Sequence, residues 1–256
     1  MIEHIKIEDI VQIAKRAGDA IMQIYVKDFS VEFKDDKSPL TEADKKANNI
    51  IEDGLNALDK KIPILSEEGK MISYEERKEW EYFWMVDPLD GTKEFIKKNG
   101  EFTVNIALIH KNIPILGVVY APALNEMYWA VEGQGAFKDG HKLPLTINQS
   151  PEKKLRIVAS KSHLSTETQE YIDQLAQLTE SIECVSKGSS LKLCMVAEGS
   201  ADIYPRLAPT MEWDTAAADA IVRESGKMTY SYPTVEKVVY NKENLLNPWF
   251  VVKATL

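Results

Sequence analysis

The stretch Trp84-Met85-Val86-Asp87-Pro88-Leu89-Asp90-Gly91-Thr92-Lys93-Glu94-Phe95 constrains the fold of this chain more than any other. A short apolar run from Tyr82 to Val86 has the pattern of a buried strand. It stops at two carboxylates that flank Pro88-Leu89, and Gly91 and Thr92 follow. The order predicts a strand that ends in hard oxygen ligands, then a tight turn into a helix, and so a layered α/β chain. Helix N-termini offer free N–H groups to phosphate. Clustered carboxylates bind Mg²⁺, which in turn binds phosphate oxygens. Asp-Pro and Asp-Gly are also ordinary turn dipeptides, so this segment alone leaves a surface turn open.

Two further segments carry the reading. Ile64-Leu65-Ser66-Glu67-Glu68-Gly69 is a short apolar strand ending in adjacent glutamates, and Glu212-Trp213-Asp214-Thr215-Ala216-Ala217-Ala218 places an acid at the start of a small-residue helix. Singly, Glu-Glu-Gly reads as a solvated turn and Asp214 as an N-cap. Together with Asp87 and Asp90 they make the acidic set that a polymetal phosphatase needs, each acid at a strand end or helix start. Mg²⁺ takes few protein carboxylates and keeps several waters. Thr41 and Asp44 read as an N-cap with a capping-box partner, ahead of an amphipathic helix through Ile50, Ile51, Leu55 and Leu58.

The rest of the chain alternates. Ile10, Ala14, Ala17, Ile21 and Ile24 mark a first amphipathic helix, and residues 41–58 a second. Runs at 104–109, 115–120, 126–131 and 135–138, separated by Pro and Gly turns, predict an antiparallel meander. Beyond it, strands at 155–159, 182–185 and 201–204 alternate with helices at 165–178, 189–198 and 214–224. The expected organisation is an α+β half over 1–150 and an α/β half over 151–256, with the boundary near Asn148-Gln149-Ser150-Pro151 and the acidic site between them. With 40 acidic against 31 basic residues and no basic stripe interleaved with aromatics, a nucleic-acid partner is excluded. Cys184 and Cys194 lack metal-ligand spacing and read as buried free thiols. No signal-peptide core or membrane-length apolar run is present, so a reducing cytoplasm fits, with peripheral attachment to the inner face of the cell membrane as the alternative. There is no Cys-x5-Arg loop, no D-x-D-x-T motif and no P-loop, which points to direct attack by water and to a hydrolase rather than a kinase.

In their order and spacing, the Glu67-Glu68 pair, Asp87-Pro88-Leu89-Asp90-Gly91-Thr92 and Trp213-Asp214-Thr215-Ala216-Ala217 resemble the hallmarks of the inositol monophosphatase superfamily of Mg²⁺-dependent, lithium-sensitive phosphatases. The resemblance runs from about Asp9 to Ser225 and implies an alternating α-β-α-β-α sandwich, with an antiparallel sheet in the first half and a mixed sheet in the second. It implies two or three Mg²⁺ ions per site, held by Glu67, Asp87, the Leu89 carbonyl, Asp90 and Asp214. Gly91 and Thr92 would cradle the phosphate through their N–H groups. Thr92 would share the nucleophilic water with Glu67, and Asp44 would help to draw a proton from it. The role of Glu68 stays open.

Lys93-Glu94-Phe95, Ser160-Lys161-Ser162-His163, Gly188-Ser189-Ser190-Leu191-Lys192 and Pro205-Arg206 resemble the 3′(2′),5′-bisphosphate nucleotidase branch, the CysQ-like enzymes. That likeness implies Mg²⁺-dependent hydrolysis of the 3′-phosphate of adenosine 3′,5′-bisphosphate by metal-activated water, with 3′-phosphoadenylyl sulfate as a further substrate and a role in sulfur metabolism. The alternatives are an inositol monophosphatase or other sugar-phosphate phosphatase and, from another class, a non-catalytic metal- or phosphate-binding module. A bisphosphate carries a second dianion, and a chain of net charge −9 needs local cations to hold it. Lys192, Arg206 and Ser189 are the candidates, with His163 as a further nucleotide contact or a cap for the next helix. Ala218 and Ser225-Gly226-Lys227 depart from the family's pattern beside the ligand set. The expected state is a monomer or homodimer.

Overall fold

A computed structural model describes residues 4–27, 31–33, 39–145, 154–159, 164–179 and 181–255. Helix α1 (Ile7–Tyr25) buries the stripe Ile10, Ile13, Ala14, Ala17, Ile21 and Ile24, as its 3.6-residue spacing requires. Strands β1 (Val31–Phe33) and β2 (Pro39–Thr41) form a short antiparallel pair. Helix α2 (Glu42–Leu58) begins with the expected capping box: Thr41 Oγ accepts the Ala43 N–H at 3.1 Å, and Asp44 Oδ2 accepts the Thr41 N–H at 2.7 Å.

The chain then lays down β3 (Ile64–Ser66), a single-turn α3 (Tyr74–Arg77), β4 (Tyr82–Asp90), α4 (Thr92–Ile96), β5 (Thr103–His110), β6 (Ile113–Ala121), β7 (Glu126–Val131), β8 (Gly135–Lys138) and β9 (His141–Lys142). These strands make one seven-stranded sheet in chain order. Only the β3–β4 pairing is parallel; the rest are antiparallel. Alternate residues of β4 and β5 enter two different cores. Trp84, Val86, Val104, Ile106 and Leu108 pack with α1 and α2, while Phe83, Met85, Ala107 and Ile109 pack on the opposite face. Burial on both faces explains why β4 reads as a continuous apolar run instead of an alternation.

The second half supplies β10 (Leu155–Ala159), α5 (Thr166–Ala176), β11 (Ile182–Ser186), α6 (Leu191–Glu198), β12 (Tyr204–Arg206), α7 (Ala216–Glu224), β13 (Lys227–Ser231) and β14 (Phe250–Ala254). β10 and β11 are parallel, and β12-β14-β13 is antiparallel. A parallel bridge from Ile157 to Ile203, with Val158 N–H donating to the Ile203 carbonyl at 2.9 Å, joins the two sets into one mixed sheet. The expected strand at 201–204 is therefore displaced to 204–206, with only Ile203 pairing before it. α6 and α7 fill the space between the two sheets, and α5 is tied beyond the mixed sheet by Ser165 Oγ donating to the Leu207 carbonyl. The layers run α-β-α-β-α, as the resemblance implied.

α7 crosses β6 at Gly117, where an added Cβ would stand 2.1 Å from the Ala217 carbonyl oxygen. One apolar cluster holds Met85, Ala107 and Val119 of the first sheet with Cys194, Ala217, Ile221 and Phe250 of the second half. Cys194 is buried as expected, but Cys184 is exposed on β11, because that strand lies at the edge of its sheet. Among the described residues no helix is long and apolar enough to cross a membrane.

Candidate active site

Three acids from distant parts of the chain meet at the end of β4. β3 lies parallel beside β4, and the Glu67 N–H donates to the Val86 carbonyl at 3.1 Å, so Glu67 continues that pairing past the strand. β4 does not stop at Asp87 as its sequence suggested. It runs on to Asp90 through a register shift against β5, with Asp87 opposite Asn105 and Asp90 opposite Thr103. Pro88 has no N–H to give to a ladder, and the Leu89 N–H curls back to Asp87 Oδ1 at 3.0 Å. Such a bulge re-aims side chains.

Asp214 precedes α7. Thr215 holds the N-cap position, so Asp214 is not the cap; its Oδ2 accepts the Met211 N–H at 2.9 Å. Beside it, the fully buried Glu212 is fixed by the N–H groups of Asn241 (2.6 Å) and Lys242 (3.1 Å) and by the Lys242 ammonium. One carboxylate oxygen each from Glu67, Asp87 and Asp214 lie within 4.8 Å of one another. Asp87 is 1% exposed. Burial, then the charges of Glu67, Asp90 and Asp214, push its carboxyl well above the ordinary range; burial and Asp90 do the same to Asp214. Like charges gathered out of water are costly unless a cation joins them. An all-oxygen set of this kind fits Mg²⁺ by donor chemistry.

Asp90 lies outside that triad, in the same cavity. Its Oδ2 accepts the Ser190 N–H at 2.6 Å and the Asn105 amide at 3.4 Å. Burial raises its carboxyl to about 6 even though Lys192 and the Ser190 N–H pull it down. Lys192 is 6% exposed and donates to the Ser189 carbonyl at 2.6 Å. Burial lowers its ammonium to about 8, with Arg206 adding to the effect and Asp90 opposing it.

Asp44 and Thr92 also meet. Thr92 Oγ lies 3.4 Å from Asp44 Oδ1 and 3.3 Å from the Leu89 carbonyl, while Asp44 Oδ2 is occupied by the Thr41 N–H and hydroxyl. Burial raises Asp44, against the two Thr41 bonds that lower it. Gly91 has φ +90°, in the left-handed region, and an added Cβ would press on the Glu101 carbonyl at 3.2 Å. Glycine is the residue that satisfies both demands, and Thr92 then opens α4.

Glu67, Asp87, Leu89, Asp90, Gly91, Thr92, Ser189, Lys192, Arg206 and Asp214 all line one cavity of about 270 Å³. Tyr204 and Thr210 line it too. Arg206 Nη2 donates to the Pro209 carbonyl at 2.8 Å, whereas Arg206 Nε and Ser189 Oγ are buried with no hydrogen-bond partner among the described residues. Orphaned buried donors in a cavity are a mark of a ligand site. His163 lies outside the described residues; Ser165, through Oγ accepting the Thr168 N–H, caps α5. Asn105 escaped the sequence reading. Its one signal is that it is the sole amide in the run Val104–Ile109, and lone polar groups in buried strands need partners.

Residues 5–249 match the sequence model of the inositol monophosphatase family. The 3′(2′),5′-bisphosphate nucleotidase CysQ of Escherichia coli is 46% identical over 248 residues, covering 96% of this chain and 98% of that protein. The same figures hold for the Salmonella typhimurium protein of that name. The crystal structure of CysQ from Bacteroides thetaiotaomicron, a bacterial member of the inositol monophosphatase family, aligns with a TM-score of 0.87 at 47% identity over 96% of each chain.

Proposed function

Because the chain belongs to the inositol monophosphatase family and is a phosphatase, we propose that it removes the 3′-phosphate of adenosine 3′,5′-bisphosphate to give AMP and phosphate. One observation carries this reading: the Glu67/Asp87/Asp214 triad and the Lys192/Arg206 pair line the same cavity. The first suits a phosphoryl group undergoing transfer; the second suits an anion that stays on the product. 3′-Phosphoadenylyl sulfate presents the same 3′-phosphate with an anionic 5′ group and is accepted by the same logic.

Glu67, Asp87, Asp90, Asp214 and the Leu89 carbonyl would hold Mg²⁺, in two or three positions. When bound, Mg²⁺ supplies Lewis-acid polarisation of the phosphoryl oxygens and lowers the pKa of water. The remaining work belongs to the chain. Gly91 and Thr92 N–H groups orient the phosphoryl group, and Glu67 with Thr92 Oγ aligns water opposite the bridging O3′. Asp44 Oδ1 takes the water's proton through the Thr92 hydroxyl, and burial, which raises its carboxyl, makes it a stronger base than an exposed carboxylate. The bond from phosphorus to the entering oxygen forms as the P–O3′ bond breaks, and the departing O3′ takes a proton from a solvent water to become the 3′-hydroxyl of AMP. Lys192, Arg206 and Ser189 hold the 5′-phosphate and fix the nucleoside in line.

Phosphate release from adenosine 3′,5′-bisphosphate and from inositol 1-phosphate, measured side by side with Mg²⁺, tests the reading. A strong preference for the nucleotide is expected; a preference for the inositol ester would keep the acidic centre and discard the roles of Lys192 and Arg206. Lys192→Ala should lower kcat/KM for the bisphosphate by roughly 10–100-fold, the worth of a charge-assisted hydrogen bond. With inositol 1-phosphate the loss should stay under about threefold, and equal losses would remove Lys192 from the substrate pocket.

A further inference from the structure

A single peptide unit stands between the two parts of the cavity. The Ser189 carbonyl accepts from Lys192 Nζ at 2.6 Å, and the N–H of the same peptide, on Ser190, donates to Asp90 Oδ2 at 2.6 Å. Ser189 has φ +45°, a left-handed conformation that a serine holds only where its surroundings enforce it. The enforcing contacts are visible. Ser190 Oγ is bonded to Asn105 Oδ1 and to Thr103 Oγ, both at 2.9 Å, and all three residues are at most 2% exposed. The Asn105 amide returns to Asp90 Oδ2 at 3.4 Å. The ring is closed: β5, the start of α6 and the end of β4 are locked through one carboxylate.

We propose that Ser190 and Asn105 are positioning residues that couple cation binding at Asp90 to anion binding at Lys192. This rests on the reading of the two subsites given above. In the protein alone, the peptide and the ammonium both serve Asp90. A cation that takes up the Asp90 charge loosens the Ser190 N–H bond and releases the Ser189 carbonyl's hold on Lys192, which turns to a phosphate. A phosphate that takes Lys192 leaves Asp90 freer for a cation. Each ligand thereby tightens the other, and by linkage the factor is the same in both directions. Ser190 Oγ and Asn105 keep the peptide in register for this exchange.

The probe pair is Mg²⁺ and 2′,3′-dideoxyadenosine 5′-monophosphate, which has no sugar hydroxyl with which to reach the acidic centre. Calorimetric titration of the metal-free full chain with Mg²⁺, with and without saturating nucleotide, gives the coupling factor without turnover. The wild type should show Mg²⁺ bound about fivefold or more tighter with nucleotide present. In Ser190→Ala and in Asn105→Ala this factor should fall at least threefold. Arg206→Ala should weaken nucleotide binding, which checks that the probe occupies the anion subsite. A wild-type factor of one, or a factor equal in wild type and both ring variants, overturns the coupling while leaving the substrate reading intact. Absence of nucleotide binding by the wild type would instead sink that reading, and the coupling with it. A wild-type factor of one overturns the coupling even if a variant fails to fold, and either ring variant alone suffices for the comparison.

Discussion

Asp87→Asn will lower phosphate release by about three orders of magnitude, the scale of losing a central electrostatic element of an active site, while making the metal-free protein more heat-stable. The two effects have one cause. Asp87, Asp90 and Asp214 are all raised above the ordinary carboxylate range, by burial first; the Glu67 charge adds to the rise at each, and Asp90 adds to it at Asp87 and Asp214. A carboxylate raised in the folded state stabilises fully below its unfolded value, about 4. That contribution is lost as pH climbs through the folded value, which is about 6 for Asp90. Metal-free protein should therefore lose thermal stability as pH climbs from about 4 through about 6, and further as Asp87 and Asp214, also raised by burial, ionise. Mg²⁺ should restore it, by an amount that grows with pH. Asparagine at 87 removes one charge from the cluster, so the metal-free midpoint at pH 8 should rise by a few degrees, about 2–4 °C per kcal/mol in a chain of this size. The Mg²⁺-induced shift should shrink. Differential scanning calorimetry with and without EDTA reads both; a metal-free midpoint that falls would refute the repulsive cluster.

Gly117→Ala will cost about 3 kcal/mol or more, the upper range for overpacking, or a drop of roughly 6–12 °C in Tm. The obstruction is the Ala217 carbonyl oxygen at 2.1 Å, with the Ala220 methyl at 2.9 Å. A backbone oxygen inside a helix cannot rotate away, so α7 would have to lift off β6. Since Asp214 stands just ahead of α7, Mg²⁺ affinity should fall as well. A midpoint within a degree of wild type would show that helix and sheet do not approach as closely as described.

The local features of this chain were legible where one segment's chemistry sufficed. The Thr41–Asp44 cap, the α1 stripe and the meander of β5 to β8 follow from spacing and turn residues alone. What stayed hidden depends on partners distant in sequence. β14 lies between β12 and β13, and nothing in Phe250–Ala254 names either neighbour; β13 and α3 likewise depend on contacts far along the chain. The strand expected at 201–204 failed because pairing with β14 begins only at Tyr204. The acids announced themselves by standing at the ends of apolar runs. Asn105 and Ser190 did not, because their meaning lies in the ring they close with Asp90.

The docking of α7 onto β6 also sets when, in the life of a chain, chemistry can begin. Glu67 and Asp87 come together as soon as β3 pairs with β4, but Asp214 arrives only when the second half settles against the meander. Contacts of such sequence separation form late. A nascent or half-folded chain thus carries an incomplete acidic centre, and phosphate release serves as a clock that starts when the last layer closes.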